Sequence, residues 1–403
     1  MKAVMYGAGN IGRGFVGALF SQSGYDVTFV DVARPVVEAL QKRGSYPVRI
    51  LTDEGHEDVL IDRVTAVDGN DVDAVSRAIA EADLMATAVG ANILKFIAPN
   101  IAAGLRLRFQ TSGAPLDIII CENLIDADKV LRKLIKAGLT SEEQTLFDER
   151  VGLVEASIGR MVPVQTPDMQ DGDPLRVCVE RYGFLPVDRN AFRGNIPPVR
   201  DLVPYSPFDF YIRRKLYVHN MGHAVCAYLG LYAGREFIYE SIDDADTYAV
   251  VLNAMTESAE VLSRQYGFPL TDIMRNIQDL LMRFTNRALQ DTCKRVGNDP
   301  VRKLSPTDRL IGPARLCVQQ GRTPAYICVG AAGALYEYLK ETGRAQTAEN
   351  AAEALAELSR VSEGDPLQEP ILTYYGLFMS GKSIAFIRRA AQRAKAAGNP
   401  NVV

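Results

Sequence analysis

The sequence predicts an α/β N-terminal half, with a parallel sheet covered by helices on both faces, joined to a mostly α-helical C-terminal half. Three observations predict it. Over the first 160 residues, short apolar runs rich in β-branched residues alternate with helix-length segments, the pattern of a sheet built from strand–helix–strand units. A glycine-rich turn follows directly on the first run and opens a helix. After about Pro197 the texture changes, and from Asp209 onward nearly every segment has helical spacing of its apolar residues.

Taken in order, Lys2–Tyr6, Val27–Val30, Leu84–Ala88 and Asp117–Cys121 are apolar, strand-length and bounded by turn residues. Between them Ile11–Ser23, Pro35–Lys42 and Ile93–Gly104 carry helical periodicity. Val48–Val67 is more polar and predicts an antiparallel excursion, and Val151–Ile158 and Pro174–Val179 predict further strands. In the second half, helices are expected over Tyr211–Leu229, Ala245–Gln265, Leu270–Arg287, Tyr326–Lys340, Ala348–Glu357 and Ser383–Ala397. The Ala-rich tail, Arg388–Gly398, is expected to be a surface helix that frays.

A chain of 403 residues exceeds one ordinary core. We divide it into domains at residues 1–197 and 198–403. With 47% hydrophobic and 23% charged residues it reads as soluble and globular. The formal net charge of −4, from 45 basic and 49 acidic residues, provides no field for nucleic acid or anionic lipid. No apolar run reaches the roughly 20 residues of a membrane helix, and no export signal is read at the N-terminus. The six cysteines are scattered without metal-type spacing, so reduced thiols and a cytoplasmic location are expected. A zinc site built on histidine would consume nearly all of His56, His219 and His223.

Gly7-Ala8-Gly9-Asn10-Ile11-Gly12 fits GxGxxG immediately after the first strand. Gly7 permits the turn, Gly9 lets a pyrophosphate approach the backbone, and Gly12 lets helix and strand pack closely. The helix N-terminus then offers free N–H groups to phosphate oxygens. Asp31 ends the second strand, where a carboxylate can accept both ribose hydroxyls and repel a 2′-phosphate, favouring NAD over NADP. Arg34 pulls the other way, and Asp31 as a helix cap is the plain alternative. The turn from Ala88 to Asn92, including Val89, is expected beside the cofactor.

In the helical half, Lys215, Asn220 and His223 fall at roughly 0°, 140° and 80° around an α-helix, so they can line one wall of a cleft. A carbonyl reduced by hydride needs a proton donor, and the reverse reaction needs a base. Partial burial lowers a lysine from about 10.4 toward that task. Asn220 would donate to a developing oxyanion, and His223 would hold a hydroxyl. The alternative is an amphipathic helix whose lysine snorkels.

These residues carry a family resemblance. The stretches GAGNIGRGFVG (7–17), ATAVGANIL (86–94), CENLIDA (121–127), KLYVHNMGHAVCAYLG (215–230) and RVGNDPVRKLSPTDRL (295–310) resemble the polyol-specific long-chain dehydrogenases, within them the branch acting on mannitol 1-phosphate. The resemblance implies a Rossmann-type N-terminal domain, a helical substrate domain and a metal-free active site. It also implies NAD as cofactor, Lys215 as acid/base, and Asn220 and His223 as substrate-orienting residues. Asn123 would aid the oxyanion site beside the cofactor, and Arg295 and Lys303 would touch distal hydroxyls or a phosphate. His219 receives no role. One position departs from the family pattern: Gly159, in SIGRMVP, stands where an aspartate is expected.

The activity this implies is reversible oxidation of a polyol or polyol phosphate, foremost mannitol 1-phosphate to fructose 6-phosphate. Alternatives are hexuronate reduction, oxidation of unphosphorylated mannitol or arabinitol, and a non-catalytic nucleotide-responsive binding protein. The partner expected is a small sugar or polyol, with the chain a monomer or small homo-oligomer.

Overall fold

Lys2–Tyr6 (β1) lies inside a six-stranded sheet because both its faces are apolar: Ala3 and Met5 enter one core, Val4 and Tyr6 the other. The other ten strands are Asp26–Asp31 (β2), Tyr46–Thr52 (β3), Gly55–Ile61 (β4), Val64–Asp68 (β5), Leu84–Thr87 (β6), Leu116–Ile120 (β7), Val151–Glu155 (β8), Val177–Glu180 (β9), Leu185–Asp188 (β10) and Leu202–Tyr205 (β11). The main sheet has the order β5-β2-β1-β6-β7-β8, every pair parallel. This computed structural model describes residues 1–124 and 126–398. It divides into two units, Met1–Asp209 and the chain from Phe210 onward, each described by itself.

The first unit is the predicted Rossmann-type parallel sheet, with corrections. The antiparallel excursion is only β3 with β4, tied by Arg49 and Asp58 at 2.7 Å across the ladder. Val64–Val67 instead returns to the main sheet as a parallel neighbour of β2. β9 pairs parallel with β3, making a three-stranded mixed sheet. The strand expected over Val151–Ile158 stops at Glu155, where Ala156 turns aside to bridge Val187. The parallel pair β10–β11 was not anticipated. Its strands hold only four residues each, too short for periodicity to register.

The second unit is helical among the described residues. Ala325–Glu341 forms its centre, buried nearly all round, which its alanines and glycines permit. Gly330 faces Val225 so closely that a Cβ would overlap the valine, bringing this helix against Met221–Tyr232. The tail is a surface helix, as expected, but it is docked along one edge rather than frayed. In Ile384–Ala397, Ile387 and Ala391 are fully buried, Arg388 pairs with Asp246 at 2.6 Å, and Lys395 meets Glu257 at 3.3 Å. Of its alanines only Ala391 is fully buried, and Ala394, Ala396 and Ala397 are exposed. No helix among the described residues is long and apolar enough to cross a membrane.

Candidate active site

The glycine-rich turn is built as its spacing demands. Gly7 has φ +105°, where a side chain would be strained and would also strike the Ala88 carbonyl oxygen at 2.5 Å. A Cβ on Gly12 would overlap the Gly7 carbonyl oxygen, while one on Gly9 would meet nothing within 4 Å. Gly12 is therefore required by the fold, and Gly9 leaves its space to a ligand. The helix that follows opens as a π turn, Gly12–Val16, before continuing as Gly17–Gln22.

Around this turn lies a cleft of about 640 Å³ lined by Gly7, Gly9, Asp31 and Val89, among others. Val32 (65% exposed) and Phe96 (64% exposed) also line it. Large apolar side chains left in water along one cleft suit the flat face of a base. The Asp31 carboxylate accepts the Ala8 N–H at 2.6 Å and the Ala33 N–H at 2.9 Å, one on each oxygen. Each oxygen keeps a second lone pair for a ribose hydroxyl. Arg34 is 80% exposed and lies 3.9 Å from Asp68. Of the other predicted contacts, Asn10 is exposed, Ile11 packs against the hydrophobic core and Asn123 is exposed past β7. None of the three lines the cleft. Together these features fit a dinucleotide.

Two buried charges that the sequence reading missed hold this turn. The Arg13 guanidinium donates to the Ala8 carbonyl at 2.7 Å and to the Leu175 carbonyl, while the Tyr46 hydroxyl donates to the Arg13 carbonyl at 2.8 Å. Glu122, its carboxyl pushed up by burial, accepts from Thr87 Oγ1 at 2.7 Å and from the Val89 N–H at 3.0 Å. Their partners are up to 162 positions away, beyond the reach of any local pattern.

In the helical unit, Lys215–Asn220 is a π turn rather than the α-helix expected, and Met221–Tyr232 continues it as α-helix. A π turn closes on i→i+5, which brings Asn220 closer to the azimuth of Lys215 than α geometry allows. Gly222 lies where a Cβ would strike the Met255 sulfur at 2.6 Å, which fixes the helix's inner face.

His223 stacks on Phe284 at 4.7 Å between ring centroids, and its Nε2 lies 3.3 Å from Asp291 Oδ2 without hydrogen-bond alignment. Asp291 also receives Arg295, at 2.7 Å from Nε and 2.6 Å from Nη2. Burial alone would raise the Asp291 carboxyl, but His223 and Arg295 outweigh it and hold it below the usual range. Asp291, also missed in the sequence, thus links two predicted residues. His219 is sealed in the interior; burial first, then Arg283 and His223, drive its imidazole well below the usual value. It stays neutral.

Lys303 is 3% exposed, and burial, with Arg309 and Arg302 adding, lowers its ammonium to about 8. Gly159 faces Tyr182, whose ring a Cβ would approach to 3.0 Å. An aspartate there would press on that ring. Nearby Glu155, raised to about 7 by burial and by Asp128, is engaged with the Ala127 N–H at 3.0 Å. It does not stand in for the missing carboxylate. No group of three or more metal-binding side chains is present among the described residues.

Comparison with known proteins matches residues 1–200 to the mannitol dehydrogenase Rossmann domain and residues 208–368 to the mannitol dehydrogenase C-terminal domain. The mannitol-1-phosphate 5-dehydrogenase of Brevibacillus brevis is 37% identical over 92% of this chain and 96% of its own. That of Bacillus subtilis is 40% identical over 78% of this chain and 83% of its own. Among solved structures, Pseudomonas fluorescens mannitol 2-dehydrogenase in complex with NAD and D-mannitol superposes with a TM-score of 0.76. It is 16% identical, covering 97% of this chain and 94% of that one. A substrate-free D-sorbitol dehydrogenase gives a TM-score of 0.80 at 16% identity, covering 96% and 94%. The sheet order, the glycine turn and the near end-to-end identity agree: this chain belongs to the mannitol dehydrogenase family.

Proposed function

We propose that this protein is an NAD-dependent oxidoreductase that interconverts mannitol 1-phosphate and fructose 6-phosphate. Residues 1–197 serve as the cofactor domain and 198–403 as the substrate and catalytic domain. The observation that carries the reading is the near full-length likeness to enzymes named for mannitol-1-phosphate 5-oxidation.

When bound, NAD supplies the acceptor for the hydride that leaves the substrate carbon. Gly7, Gly9 and Gly12 shape the turn beneath its pyrophosphate, with Asn10 and Ile11 opening the helix there. Asp31 would take the ribose hydroxyls, and Val89, which lines the same cleft, would lie near the cofactor. Lys215, as the neutral amine, takes the proton from the substrate hydroxyl and returns it as ammonium in reduction. Asn220 and Asn123 donate amide N–H bonds to the oxyanion. His223, steadied by Asp291, holds a neighbouring hydroxyl, and Arg295 and Lys303 take the distal end of the substrate. None of these roles for the protein's own side chains requires a metal ligand.

The test is a substrate panel read by NADH absorbance: mannitol 1-phosphate, mannitol, arabinitol and the hexuronates. Turnover is expected with mannitol 1-phosphate and, in reverse, with fructose 6-phosphate. NADH binding without turnover of any C6 polyol or polyol phosphate removes the proposal.

A further inference from the structure

Lys303, the last residue of the short helix Pro300–Lys303, and Arg309, on the loop that follows it, are both buried, at 3% and 8% exposure. The loop is anchored by Leu304 and Leu310, both fully buried. It is held against the Lys215 π turn, where the Tyr217 hydroxyl donates to the Thr307 carbonyl at 3.1 Å. Gly312 completes this contact, since a Cβ there would strike the Tyr217 hydroxyl at 2.6 Å. The cations therefore sit on a rigid support beside the turn that carries the acid/base.

Their compensation is unequal: Arg309 is ion-paired with Asp308 at 2.7 Å, whereas Lys303 forms no ion pair among the described residues. The Lys303 ammonium makes no hydrogen bond or ion pair among the described residues. Asp308 Oδ1 accepts both the Arg309 N–H at 2.6 Å and its Nε at 2.7 Å. That fixes the guanidinium plane and leaves Nη1 and Nη2 without an acceptor among the described residues. Arg309 and Arg302 repel Lys303, and Asp299, which could offset them, is engaged with Arg302 at 3.3 Å. With one carboxylate, Asp308, engaged on Arg309, the two largely buried cations keep net positive charge and spare donors, which fits a compact dianion better than neutral hydroxyls. The planar Nη pair and the point-charge ammonium together match the tetrahedral oxygens of a phosphate.

We propose that Lys303 and Arg309 form the subsite that receives the substrate's phosphate and selects phosphorylated over free polyols. This rests on the function proposed above and adds Arg309, which neither motif spacing nor the resemblance assigns.

The full-length enzyme with saturating NAD is assayed for kcat/KM on mannitol 1-phosphate and on mannitol, as wild type, Arg309→Gln and Arg309→Lys. The ratio of the two constants is expected to fall about 10- to 100-fold in Arg309→Gln, the loss of a charge-assisted bond, with Arg309→Lys between. In the wild type, inorganic phosphate is expected to compete with mannitol 1-phosphate, and more weakly in each variant. A ratio unchanged within about twofold, or non-competitive inhibition by phosphate in the wild type, overturns the subsite. Should Arg309→Gln fail to fold, Arg309→Lys and the wild-type inhibition pattern still decide. A wild type active on hexuronates but on neither polyol overturns the parent function instead.

Discussion

Asp31 spends one lone pair of each carboxylate oxygen on the backbone of the nucleotide turn and keeps another, which the proposed function assigns to ribose. The glycines around it divide the work differently. Gly12 answers to the protein, since a Cβ there collides with Gly7, whereas Gly9 answers to the ligand, since a Cβ there meets nothing. Gly9→Ala should therefore keep the melting temperature within about 2 °C of wild type, yet weaken NADH about tenfold or more by titration of its fluorescence. Gly12→Ala should lose roughly 1–3 kcal/mol of stability and NADH binding together. Equal melting losses in both would contradict the division. These glycines were legible because the motif is local and each role is steric. Glu122 and the approach of Asp291 to His223 were not, because their meaning lies in Thr87, Val89 and His223, which sequence distance hides.

At the scale of elements, the long helices and central strands were legible because their apolar period persists over many residues. The Lys215–Asn220 segment was read as α-helix because one inserted residue per turn leaves its apolar pattern nearly intact. The tail was legible as a surface helix, whereas its docked edge was not, because Asp246, the partner of Arg388, lies 142 positions away. Glu257, on Ala245–Tyr266, joins that tail to the unit: it accepts the Tyr326 and Ile327 N–H groups at 3.1 Å and meets Lys395. Burial raises its carboxyl to about 7, against the opposing pull of Lys395. A carboxyl raised on folding gives stability that is complete below its unfolded value, near 4.5, and is lost as pH climbs through 7. The stability margin of the wild type over Glu257→Gln should accordingly shrink between about pH 4.5 and 7, measured by urea unfolding. A margin that widens over that window would rule out the burial-dominated state.

At the scale of the whole molecule, two locally readable motifs, one in each unit, carry the proposed chemistry: the glycine turn for the dinucleotide and K-x4-N-x2-H, at Lys215, Asn220 and His223, for proton transfer. Fold class and family were legible from them because both motifs are sequence-contiguous. The proposed selectivity was only half legible, since Lys303 and Arg309 acquire their proposed role from burial, which a linear string does not display. The claim on which the function turns is that Lys215 acts on the substrate and not on the cofactor. It is tested most directly by Lys215→Ala, with NADH affinity measured by fluorescence titration and turnover measured on fructose 6-phosphate. The expected result is an NADH Kd within about threefold of wild type and a kcat lower by about 10²- to 10⁴-fold. Retained turnover, or NADH binding lost along with it, would contradict the assignment.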